Sequence, residues 1–196
     1  MSLDKLEVRY HGGQKPVRVG TLAEQGSSLF FEYDPDFLAR GYWLSPFKLP
    51  LTSGLKQFED WRFGSVWGLF ADSLPDGWGL LLMDRFFQSQ GRFRESISIL
   101  ERLAYLGSNT MGALTYHPAT GGERHPESVD LYRLAQEAQQ VLSGDTAEVL
   151  EQLLWLGGSP GGARPKVLVG LRDEQIVSGV TELPTHYTPY LLKFHA

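Results

Sequence analysis

The sequence contains no cysteine. That absence removes disulfides, thiolate metal sites and a cysteine nucleophile together, and it suits a reducing compartment. The expected location is the cytoplasm. No stretch approaches the roughly 18 consecutive apolar residues of a membrane helix, and the start, "MSLDKLEVRYHGG", lacks an apolar signal core. No membrane partner is expected. Positive charge is scarce as well: 18 Lys and Arg against 23 Asp and Glu give a net charge of -5. That balance argues against a broad basic surface for nucleic acid, so any DNA association would be indirect. The five histidines (His11, His117, His125, His186, His195) are scattered, with no two at metal-ligand spacing. No serine lies in G-x-S-x-G, and no acidic residue lies in an H-x-D or D-F-G setting.

What is present is an ordinary globular composition, 42% hydrophobic and 21% charged over 196 residues. The length allows one large domain or two small ones with a real core. The first third reads as β structure: "LEVRYHG", "KPVRVGTLAE" and "SSLFFEYD" are short, β-branched or aromatic, and separated by Gly, Pro or Asp. "YWLSPFKLPLTSG" is too rich in proline for a central strand. From residue 72 the pattern turns helical. "DSLPDGWGLLLMDRFFQSQG" has turn chemistry at Pro75, Asp76 and Gly77, then an apolar helical period closed by Gly91. Asp72, Asp76 and Asp84 read there as caps and solvated charge. "SILERLAYLG" is a second helix, with Ser98 and Glu101 as a capping box and Gly107 as its stop. "MGALTYHP" reads as a strand.

Residues 119–128, "ATGGERHPES", read as a linker between a unit at 1–118 and another at 129–196. In "VDLYRLAQEAQQVLSG" the helical period puts Leu131, Leu134, Ala135, Ala138 and Leu142 on one face. "DTAEVLEQLLWLGG" follows, with Asp145 as N-cap and Glu148 in its first turn. A glycine turn, strands at 167–171 and 176–181, and "YLLKFHA" complete the chain. The fold class is α+β: a β-rich N-terminal subdomain with helices, then a helical pair and a small antiparallel sheet. Leu191, Leu192 and Phe194 are expected in a core, and a sheet still under construction at the last residue suggests a longer polypeptide. Trp61, Trp67, Trp78 and Trp155 are expected to anchor cores.

The stretch "GGSPGGARPKVLVGL", residues 157–171, raises the functional question. A P-loop needs Lys-Ser/Thr after its last glycine and must open a helix. Here Ala163 and Arg164 follow Gly162, and the next element is a strand. A Rossmann glycine turn also opens a helix. Strand context instead matches the kinase arrangement, in which a glycine loop covers ATP phosphates and a later strand carries a lysine. Lys193, in "YLLKF", stands where that lysine belongs. On residues alone the alternatives stay open: the turn as a simple joint, Lys193 as an edge-strand guard, Lys166 and Arg164 as solvated charge, and Ser159 as the start of a turn.

Five motifs in order resemble the HipA-type serine/threonine kinases of bacterial type II toxin-antitoxin modules. "SPGGARPK" is similar to that family's S-x-x-G-A-x-x-K loop, and "THYTPYLLKF" to the strand bearing its ATP lysine. "LSPFKLPLTSG", "LFADSLPDGWG" and "LERLAYLGSNTMGALTYHP" resemble its N-terminal subdomain in order and spacing. The resemblance implies a partial kinase-like N-lobe. In it, Gly161, Gly162, Ala163, Arg164, Pro165 and Lys166 would contact ATP phosphates together with Lys193, and Ser159 would be autophosphorylated. ATP and Mg2+ are the implied cofactors. The implied partners are a helix-turn-helix antitoxin, which would carry any link to DNA, and a protein substrate, for which the family precedent is an aminoacyl-tRNA synthetase. The family's catalytic and metal-binding acidic residues lie well beyond the ATP lysine, so this chain by itself is expected to be inactive. The alternative is a non-catalytic module that docks a partner kinase or antitoxin.

Overall fold

The computed structural model describes residues 3–59, 64–121, 127–144, 151–157, 161–178 and 183–194. The chain is α+β and divides into two compact units, each made of two segments. One joins Met1–Leu74 with Ile97–Gly122, the other Pro75–Ser96 with Glu123–Ala196.

The first unit is built on a five-stranded antiparallel sheet of order β4-β3-β2-β1-β5. Its strands are β1 (Lys5–Tyr10), β2 (Val17–Gln25), β3 (Ser28–Tyr33), β4 (Lys56–Gln57) and β5 (Leu114–His117). Alternation along β1 and β3 sends Leu6, Val8, Leu29 and Phe31 into the core, as expected when one sheet face is covered. Helices α1 (Pro35–Arg40), α2 (Gly68–Ala71) and α4 (Ile99–Leu106) belong to this unit. Phe37, Phe70, Leu100 and Leu103 from these helices fill the same core. α4 starts at the expected capping box: Ser98 Oγ accepts from Glu101 N–H at 3.3 Å, and Glu101 accepts from Ser98 N–H at 2.9 Å. Periodicity gives no sign of α1, which has only six residues. Its ends are nevertheless well marked, by the N-cap Asp34, Pro35 at the first turn and Gly41 at φ 69° as C-cap.

The second unit packs α3 (Gly77–Ser89), α5 (Leu131–Ser143) and α6 (Glu151–Gly157) with a three-stranded antiparallel sheet. Its order is β7-β6-β8, from β6 (Lys166–Arg172), β7 (Gln175–Ser178) and β8 (Thr188–Lys193). Trp78, Leu82, Leu134, Val141, Leu153 and Val167 lie in its core. The buried face of α5 is Leu134, Ala138 and Val141, whereas Leu142 is 44% exposed. The i, i+4, i+7 stripe runs through Val141 and leaves its neighbour at the rim. Leu192 and Phe194 pack on this core, but Leu191 is exposed on the opposite face of β8. Trp67 and Trp78 are buried and Trp155 is partly buried. Trp61, and the capping pair Asp145 and Glu148, lie outside the described residues.

The segment read as a linker is anchored at both ends. Thr120 N–H donates to Ala104 O at 2.8 Å in the first unit. In the second, Ser178 N–H donates to Glu127 O at 2.7 Å and Val129 N–H to Ile176 O at 3.1 Å, so residues 127–129 extend the β7 edge.

Candidate glycine-turn site

Within the second unit, residues 161–166 lead from the glycine turn directly into β6. Gly162 sits at φ 96°, in the left-handed region that glycine occupies without a Cβ penalty. A Cβ there would lie 2.7 Å from Lys166 Nζ, so this glycine also makes room for the ammonium. Lys166 is not a solvated charge. It is 3% exposed, and its Nζ donates to Gly161 O at 2.5 Å.

β6 and β8 pair in a register that sets Lys166 opposite Lys193, Val167 opposite Leu192 and Leu168 opposite Leu191. Val167 and Leu192 face the core. Strand alternation therefore puts Lys166 and Lys193 together on the other face, with Leu168 and Leu191 beside them. The ladder continues one step further, from Phe194 N–H to Pro165 O at 2.9 Å. Burial lowers the Lys166 ammonium below its ordinary range and the neighbouring Lys193 charge lowers it further, while the Asp76 carboxylate works the other way. Two ammonium groups side by side, one of them buried, raise the local potential and favour an anion.

The turn is also held from the start of α3, by residues whose sequence pattern shows only turn and cap chemistry. Asp76 occupies the N-cap position with extended backbone, yet its side chain makes no bond to its own helix. Its Oδ1 accepts the Gly162 N–H across 86 residues of sequence. Trp78 N–H donates to Gly162 O at 3.0 Å, and Trp78 Nε1–H donates to Lys166 O at 3.0 Å. Gly77, at φ 43°, lies against the turn so closely that a Cβ would sit 2.8 Å from Ala163 Cα, Ala163 N and Gly162 C. Of the other acidic residues read as caps, Asp84 pairs with Arg94 at 3.4 Å.

Of the residues expected at an ATP site, Gly161, Gly162, Ala163, Arg164, Pro165 and Lys166 form this turn and Lys193 stands beside it. Ala163 and Arg164 are exposed and Pro165 is buried. Ser159 lies outside the described residues. Among the described residues no group of three or more His, Cys, Asp or Glu gathers to hold a metal, and no helix is long and apolar enough to cross a membrane. In the first unit His11 and His117 meet at one hydroxyl, with Nε2 atoms 2.9 Å and 3.2 Å from Thr115 Oγ1.

No curated protein matches the chain. The family model of the HipA N-terminal domain matches residues 6–117. That stretch takes in Asp76, Gly77 and Trp78 but not the glycine turn or either lysine. It covers more than half of the 196 residues, and the chain therefore belongs to the HipA N-terminal domain family.

Proposed function

We propose that this chain is the N-terminal part of a HipA-like serine/threonine protein kinase, acting in the cytoplasm within a toxin-antitoxin module. The reaction moves the terminal phosphoryl group of ATP to a protein hydroxyl. A P–O ester forms between the γ-phosphorus and the hydroxyl oxygen, the bond to the β–γ bridging oxygen breaks, ADP leaves with its electron pair, and the hydroxyl proton is released to solvent. This chain's share is to bind and neutralise the polyphosphate, one part of the positioning and electrostatic stabilisation on which such transfers depend. The observation that carries the reading is the cross-strand pair Lys166 and Lys193 on one face of the sheet, with the Gly161–Gly162 backbone beside it. A triphosphate fits that charge. It would supply the partner the two ammonium groups lack in each other, and glycines allow phosphate oxygens to approach backbone N–H groups. Mg2+ would come with the nucleotide. Ser159 is the proposed autophosphorylation site, and a dianionic phosphate there would compete for the same ammonium groups. The partners are a helix-turn-helix antitoxin and a protein substrate, with DNA reached through the antitoxin.

The test combines two measurements. In the first, Mg-ATP is titrated into the chain and its Lys193→Ala and Lys166→Ala variants, followed by amide chemical shifts. Weak binding to the parent chain, lost in both variants, is expected, because a kinase cleft is completed by a second lobe. In the second, phosphopeptides are mapped in the longer polypeptide after incubation with ATP. Modification at Ser159 is expected, and modification elsewhere or none counts against the kinase reading.

One observation favours the alternative of a docking module. The first unit carries an open groove of about 360 Å³ lined by Phe47, Phe58, Val66 and Trp67 together with the polar Lys48, Gln57 and Glu59. Phe47 there is 93% exposed, as befits a partner-binding edge. A chain that restrains a partner kinase while its Lys193→Ala variant does so equally well would establish this reading instead.

A further inference from the structure

We propose that Asp76 is a positioning residue for the glycine turn: its carboxylate takes the Gly162 N–H and so holds residues 161–166 in the shape that meets an anion. The assignment rests on the polyphosphate reading of that turn. Four observations converge on it. Asp76 has the backbone of an N-cap but leaves its own helix uncapped, so its carboxylate is directed at the turn instead. Gly161 is placed so that a Cβ would lie 3.2 Å from Asp76 Oδ1, which leaves the carboxylate against backbone on both sides of the Gly161–Gly162 peptide. The two residues that follow Asp76 dock the same turn, through Gly77 against Ala163 and through both N–H groups of Trp78. Finally, Asp76 is close enough to the Lys166 ammonium to favour its charged form.

The physical need for such a residue is clear. The turn from Gly161 to Arg164 includes two glycines with no side chain to pack, and glycine loses more backbone freedom on ordering than any other residue. Trp78 fixes the carbonyl side of Gly162. The N–H side is fixed by Asp76 alone among the described residues. A charge-assisted hydrogen bond is about twice as strong as a neutral one, and here it connects the turn to the N-cap residue of a packed helix. Ordering the turn beforehand removes a cost that the ligand would otherwise meet on binding.

The experiment compares the whole chain with Asp76→Ala and Asp76→Asn, and reads two quantities. The first is hydrogen exchange of the Gly162 amide without ligand. Asp76→Ala is expected to speed it by about tenfold or more, while Val167 and Val169 amides in β6 stay protected. Asp76→Asn is expected to keep most of the protection, since its carbonyl oxygen accepts the same N–H. The second is binding of inorganic triphosphate, followed by the same amide signals, which is expected to weaken several-fold in Asp76→Ala and less in Asp76→Asn. An unchanged Gly162 exchange rate in Asp76→Ala overturns the assignment whatever the turn binds. Tighter triphosphate binding in Asp76→Ala overturns it too, because the carboxylate would then be a competitor for the N–H. If exchange responds as expected but the parent chain shows no triphosphate shift, the tether is real and the polyphosphate reading fails, taking with it the assignment to an anion site.

Discussion

Lys166 and Lys193 are direct cross-strand partners in β6 and β8, and the pair combines one buried ammonium with one exposed ammonium. Like charges so placed oppose the sheet that brings them together. The repulsion within the pair costs the fold stability, so at the exposed Lys193 stability and ligand binding should respond with opposite signs.

Replacing Lys193 by Glu turns the repulsion into a cross-strand ion pair. The chain is expected to become more stable, by about 0.5 kcal/mol given the exposure of position 193. Triphosphate binding is expected to vanish in the same variant. Denaturant titration and amide-shift titration of that one protein check both, and a destabilised Lys193→Glu chain contradicts the register argument.

Gly77 and Gly91 both have positive φ, 43° and 74°, but a Cβ at Gly91 would meet nothing within 4 Å. Gly91→Ala should therefore show only the left-handed backbone cost, about 1 kcal/mol. Gly77→Ala adds a backbone clash with Gly162 and Ala163 and should cost about 1–3 kcal/mol more. The difference between the two unfolding free energies measures how closely the turn sits on α3. Equal costs would mean that the turn moves aside freely.

Ser98→Ala removes one half of the capping box at α4, whose Leu100 and Leu103 are fully buried. A loss of about 1 kcal/mol is expected. The cheaper Ser98→Gly, at a few tenths of a kcal/mol, distinguishes a capping loss from general disruption.

Alkaline pH should destabilise the first unit. Burial pushes the Tyr33 hydroxyl from 10.0 up to about 12, and burial raises the Tyr116 hydroxyl further, with Ser73 opposing through a hydrogen bond of 2.8 Å. Folded-state values above the unfolded ones mean that this stabilisation is complete below pH 10. For Tyr33 it is lost as pH rises towards 12. Lys166 has the reverse sign. With its folded value lowered, the second unit gains stability as pH rises from that value to the ordinary 10.5. Unfolding curves followed by tyrosinate absorption should show less alkaline loss in Tyr33→Phe, at a cost of about 1 kcal/mol for the Leu49 carbonyl left unpaired.

The sequence determined the local elements by itself. Alternation and punctuation mark β1, β2 and β3, and the Ser98–Glu101 spacing fixes the start of α4, because these preferences are settled within one or two turns of chain. The glycine turn and the lysines beside it were legible as residue types in order. α1 is not among the elements expected from the sequence, since six residues are too few to display a period. What tertiary structure alone decided is the partnering over long separations. The opposition of Lys166 to Lys193, the burial of Lys166 and the reach of Asp76 to Gly162 all depend on strand register and helix docking. A one-residue slip in β8 would turn Lys193 to the other face, and no local pattern forbids that slip. The buried packing of Val167 and Leu192 against α3 and α6 does.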